Sequence, residues 1–159
     1  MNKPMHLPRL FLLLAIALTG GWPLQGRAAA TAVVENAAEV VKAADWNKME
    51  TVTVIAKDYA YEPSSLRFKA GQPYRLIMKN VGEKDHYFTA PEFFRAVASR
   101  KAQSRDGEIK APYFLAFEMR ANGGQLEYYF VPVIPGNYPV YCTIDDHRQQ
   151  GSEGTLVIE

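Results

Sequence analysis

The chain has 159 residues, 48% of them hydrophobic, with one cysteine, three histidines and a formal net charge of +1. That length and apolar content suffice for one domain with its own core. A single cysteine excludes an internal disulfide, and a near-neutral balance argues against nucleic acid as partner, since phosphate binding needs a basic surface.

Residues 1–30 predict a secretory signal: Lys3 and Arg9 are basic, Leu10 to Leu18 is an apolar run, and Ala28-Ala29-Ala30 is a small-residue cleavage site. The run is too short to span a bilayer comfortably, and no cysteine stands near it to carry a lipid anchor. The expectation is an exported, periplasmic protein without stable membrane insertion. Losing Lys3, Arg9 and Arg27 from 18 basic residues leaves 15 against 17 acidic ones, a net charge near −2. His6 leaves as well, so two histidines and one cysteine remain.

Residues 31–49 carry Val33, Val34, Ala37, Val40, Val41 and Ala44 at helical spacing, predicting an amphipathic helix or partly ordered leader. From Glu50 the chain breaks into short β-like runs split by Gly and Pro. Strands are expected at 51–55, 65–69 and 74–79, with turns at Tyr61-Glu62-Pro63 and Ala70-Gly71-Gln72-Pro73. After Phe88, Pro91 and Glu92 open a predicted helix through about Lys101, with Phe93, Phe94, Val97 and Ala98 as its apolar face. A polar loop is expected over 102–111, then strands at 113–119, 125–131, 138–143 and 154–158. About seven short strands with Gly/Pro turns predict an all-β Greek-key sandwich over 50–159 with a helical insertion.

The remaining cysteine and histidines fall in two places. Cys142 and His147 stand five residues apart near the C-terminus, and His86 follows Asn80-Val81-Gly82. Alone, Cys142 reads as a buried structural cysteine, a free thiol or a metal ligand, and His86 as a surface or core histidine. Together they supply two imidazoles and a thiolate, the donor set of blue-copper electron-transfer sites. Cys142 ends one strand and His147 lies in the loop to the last, so both can project at the same sandwich end, and a strand arriving at His86 is expected to deliver the third donor from the other sheet.

Ala70-Gly71, Asn80-Val81-Gly82, His86 with Phe88, Gly136-Asn137-Tyr138, and Tyr141-Cys142 followed by His147, Gly151 and Gly154 resemble the cupredoxins, the plastocyanin- and azurin-like blue-copper proteins. The resemblance runs from about Thr51 to Glu159. It implies one copper per chain, cycling between Cu(II) and Cu(I), held by His86, Cys142 and His147. It implies a one-electron carrier serving redox protein partners, with no substrate transformed and His147 as the exposed edge through which electrons pass. Ser152 occupies the usual axial Met position. Alternatives there are a three-coordinate centre, a water, the backbone carbonyl of Asp85, or Glu118 and Met119 folding over the site. Tyr87 stands where many cupredoxins have Asn, with Thr143 a candidate to compensate around the sulfur and Asn80 a candidate loop tie. The open axial position keeps other readings alive: copper storage, delivery or sensing, a red-copper centre, or a metal-free interaction domain. Arg95, Arg100, Lys101 and Arg105 read as a solvated face or a guide for an acidic partner, and Asp145 and Asp146 as loop charges.

Overall fold

A computed structural model describes residues 33–159; the expected secretory signal lies outside the described residues. Helix α1 (Ala37–Ala43) and a 3₁₀ turn at Trp46–Lys48 precede the strands. The strands are β1 (Glu50–Lys57), β2 (Ala60–Glu62), β3 (Ser65–Phe68), β4 (Tyr74–Asn80) and β5 (His86–Thr89). Helix α2 (Pro91–Arg95) follows, then β6 (Val97–Ser104), β7 (Gly107–Ile109), β8 (Ala116–Met119) and β9 (Gln125–Pro132). The last two are β10 (Gly136–Tyr141) and β11 (Glu153–Ile158).

These strands make a β-sandwich of two mixed sheets, ordered β2-β1-β4-β9-β6-β7 and β3-β11-β10-β5-β8. β1 pairs parallel with β4, and β3 parallel with β11, so the chain passes repeatedly between the sheets. Period-2 alternation sets the inner faces. In β4, for example, Tyr74, Leu76, Met78 and Asn80 point inward. The shared core is aromatic: Phe68, Phe88, Phe93, Phe94, Tyr128 and Phe130 are all almost fully buried. Edge-to-face contacts join Phe93 to Phe130 at 5.4 Å and Phe94 to Tyr128 at 5.5 Å between ring centroids. Each such ring contributes roughly 1.5–3 kcal/mol through burial alone.

The helix expected through Lys101 ends at Arg95, and residues 97–104 form a strand. Two forces explain the difference. Phe93 and Phe94 are adjacent yet both fully buried, which a single turn plunging into the core achieves. Beyond it, β9 offers a row of backbone donors and acceptors that β6 satisfies as an antiparallel ladder, with a bulge between Ser99 and Lys101; tertiary pairing overrides helix propensity here. The polar loop expected over 102–111 likewise holds the β6–β7 hairpin.

Ahead of the sandwich, Arg100 lies 4.3 Å over the Trp46 ring, and the Trp46 indole donates to the Val41 carbonyl at 2.9 Å. Arg100 therefore serves packing of the N-terminal segment on β6. Among the described residues no helix is long and apolar enough to cross a membrane.

Candidate metal centre

His86 opens β5, Cys142 directly follows β10, and His147 sits in the loop between β10 and β11; β5 is paired with β10, so His86 comes from the same sheet as Cys142 and not from the other one. One donor atom from each lies within 4.8 Å of the others. The cysteine Sγ stands 3.6 Å from His147 Nδ1, and the two imidazole centroids are 4.9 Å apart. All three side chains are buried, His86 at 0% and His147 at 5% exposure.

Backbone bonds hold this geometry. The Cys142 amide donates to the Ser152 carbonyl at 2.8 Å, and the Ser152 amide to the His147 carbonyl at 3.0 Å. The loop is thereby folded back so that both of its donor-bearing residues are tied to one point. The amide of Tyr87, one residue past His86, donates to the cysteine sulfur at 3.4 Å. The Tyr87 carbonyl in turn accepts the buried Tyr61 hydroxyl. Burial first, then the neighbouring Cys142, pushes the Tyr61 phenol far above its ordinary value, which keeps it a neutral donor.

Asn80 is fully buried, and its amide nitrogen donates to the Lys84 carbonyl at 2.7 Å and the Met119 carbonyl at 2.9 Å. Its oxygen accepts from the Gly82 amide at 2.9 Å. It thus braces the 80–85 loop against β8, delivering His86, rather than tying that loop to the Cys–His loop. Thr143 is exposed and shares a 3.3 Å hydroxyl contact with Thr89, so the sulfur contact recorded here comes from the Tyr87 amide.

The residues considered for the axial position separate. Ser152 is completely buried and its Oγ has no hydrogen-bond partner; it sits across the antiparallel ladder from Cys142. Met119 pairs with His86 across β5–β8 and is buried on the same face. Glu118 pairs with Tyr87 on the opposite face and reaches Arg120 at 3.3 Å. The Asp85 carboxylate turns to the β8–β9 loop, accepting from the Ala121 amide at 2.7 Å and from Arg120 at 2.9 Å. Those two contacts hold its carboxyl below the ordinary value.

Two residues of the β1–β2 turn carry no signal in the sequence yet reach the centre. Tyr59, at φ +66°, sets its ring edge-on to His147, with centroids 5.3 Å apart. His147 is therefore largely covered, at 5% exposure, where a more exposed imidazole edge was expected for electron passage. Asp58 places Oδ1 3.6 Å from His86 Nε2. Burial pushes the Asp58 carboxyl up, but the amides of Glu83 and Lys84, together with His86, hold it net below the ordinary value. Burial pushes the His86 imidazole down, with Asp58 opposing and His147 adding to the shift. Among the described residues both His86 ring nitrogens lack a hydrogen-bond partner despite full burial. Unsatisfied buried nitrogens are costly; with one donor atom of His86 grouped with a thiol and a second imidazole, the set suits a soft or borderline metal.

A comparison with curated protein sequences finds no match. Solved structures match at low identity, and two multicopper oxidases share the fold. A multicopper oxidase from the hyperthermophile Aquifex aeolicus is 8% identical over 72% of this chain and 30% of its own, with a TM-score of 0.55. One from Campylobacter jejuni is 16% identical over 69% and 30%, at 0.50. The chain thus spans under a third of either oxidase. An auracyanin from Roseiflexus castenholzii is 16% identical over 73% of this chain and 98% of its own, at 0.47. The family model described as a cupredoxin-like domain matches residues 27–158. With the His–Cys–His cluster, that match gives one copper ion per chain. The chain belongs to the cupredoxin-like domain family.

Proposed function

We propose that this protein is an exported, periplasmic copper protein that carries single electrons between redox partners, with His86, Cys142 and His147 as the copper ligands. The observation that carries this reading is the convergence of one thiol and two imidazoles, all buried, within 4.8 Å. Copper bound there supplies a Cu(II)/Cu(I) couple that accepts and returns one electron. The protein's part is rigidity. His86 comes from β5 and Cys142 from the end of β10 in one sheet, and His147 is locked by its loop's bonds to Ser152. Donors fixed this way rearrange little when charge changes. The Tyr87 amide offers the sulfur a hydrogen bond, which stabilises its negative charge. No substrate is transformed. Electrons leaving by His147 pass the Tyr59 ring that covers it.

One observation favours a second reading, copper storage or delivery. Ser152, at the usual axial Met position, carries a buried hydroxyl and not a thioether, and an oxygen is a poor partner for soft Cu(I). Titration of the purified protein with Cu(II), followed by visible absorption, tests the site. An intense thiolate-to-copper band is expected, absent in Cys142→Ser and not reproduced by zinc. A reversible one-electron couple supports the carrier; Cu(I) handed to a chelator without such a couple supports delivery. Equal copper binding by wild type and Cys142→Ser would refute both.

A further inference from the structure

We propose that Asp58 is the positioning residue for His86: its carboxylate accepts a hydrogen bond from Nε2–H, leaves the Nδ1 lone pair for the metal, and biases the centre toward the more highly charged metal state. This rests on the copper reading of His86, Cys142 and His147 given above.

The geometry is specific. His86 is fully buried, and Asp58 Oδ1 is 3.6 Å from its Nε2. The Asp58 side chain is 34% exposed, so it has room to close the remaining ~0.7 Å to hydrogen-bond length. It is also aimed. The Lys84 amide donates to Oδ1 at 3.2 Å and the Glu83 amide to Oδ2 at 3.3 Å, fixing the carboxylate over the loop that ends in His86. Gly82 supplies the space. A Cβ there would stand 2.3 Å from Asp58 Oδ1 and 2.9 Å from the Asp58 amide nitrogen. That contact explains a glycine at 82 by room for the carboxylate.

The chemistry follows from the two ring nitrogens. A neutral imidazole has one N–H donor and one lone pair. A carboxylate on the Nε2 side selects the Nε2–H tautomer, so the lone pair sits on Nδ1. An anion behind the ligand raises its basicity and favours Cu(II) over Cu(I). Such partners change metal affinity by about 10–100-fold, and the partial exposure of Asp58 puts it near the low end.

The test compares wild type with Asp58→Asn and Asp58→Ala. Asn keeps an acceptor for the Nε2–H and the Lys84 amide but removes the charge and the second oxygen, which accepts from the Glu83 amide; Ala removes every acceptor. Ring ¹⁵N shifts of His86 in the metal-free protein are expected to show the Nε2–H tautomer in wild type and Asp58→Asn, and a tautomer mixture in Asp58→Ala. With copper, Asp58→Asn is expected to bind Cu(II) about tenfold more weakly and Cu(I) unchanged, which equals a rise of about 59 mV in the one-electron potential. An Nδ1–H tautomer in wild type overturns the proposal, as do His86 shifts that Asp58→Ala leaves unmoved or a potential that Asp58→Asn leaves unmoved. Should wild type take up no copper, the copper reading fails, while the ring shifts still judge Asp58.

Discussion

Gly151→Ala is the sharpest test of how the metal loop is packed. Gly151 has φ +124°, a conformation that side chains rarely adopt, and a Cβ there would lie 2.7 Å from the Tyr59 carbonyl oxygen. The backbone strain is worth about 1–3 kcal/mol. The contact involves backbone on both sides, so no rotamer change relieves it, and forced overpacking adds about 1–3 kcal/mol. Together these predict a loss of roughly 2–6 kcal/mol, or about 6–24 °C in Tm for a domain of this size. Gly123→Ala separates the two contributions: its φ is +102°, but a Cβ meets nothing within 4 Å. The assay is thermal unfolding of the metal-free variants, with NMR contacts between the Tyr59 and His147 rings read in parallel. Gly151→Ala is expected to lose clearly more than Gly123→Ala and to separate those rings. Equal losses, with the ring contact intact, would refute the argument that the β1–β2 turn is seated on the loop.

Further outcomes are expected elsewhere. Phe93→Ala empties the centre of the aromatic core and is expected to destabilise by about 3–5 kcal/mol in denaturant unfolding; a loss under ~1 kcal/mol would mean α2 only covers the sandwich. Tyr59→Ala uncovers His147 and is expected to speed electron exchange with a small inorganic oxidant, whereas Tyr59→Phe, which keeps the ring, leaves it unchanged. Arg75 holds the Glu127 carboxyl below its ordinary value of 4.5, with Tyr129 and Gln103 helping and burial opposing. A depressed folded value means that this stability is present above pH 4.5 and disappears as pH falls through the folded value. Acid titration of Glu127→Gln should therefore show a flatter stability curve below pH 4.5 than wild type.

Much of the sandwich was legible because alternation and turn chemistry are local. Ser65–Phe68, Tyr74–Asn80 and Gln125–Pro132 fall close to where the pattern puts them. The stretch 97–104 misled because Val97 and Ala98 continue an apolar spacing begun by Phe93 and Phe94, and only the neighbouring edge of β9 makes them a strand. The three candidate ligands were visible as the only cysteine and two of the three histidines in the chain. Asp58 and Tyr59 were not visible. They lie far from His86 and His147 in sequence, and their role depends on β1 pairing parallel with β4, which carries the β1–β2 turn to the same end. Asn80 was recognisable as a loop residue, but its partner Met119 belongs to a distant strand.

The turn over the two imidazoles has a bearing on metal acquisition as well as on electron exit. With His86 at 0% and His147 at 5% exposure, and Asp58 and Tyr59 of that hairpin against them, entry of an ion is expected to be eased when the hairpin lifts. Uptake and release are then paced by a local opening of the chain. An ion held there is then expected to exchange with a chelator more slowly than one in an open surface site.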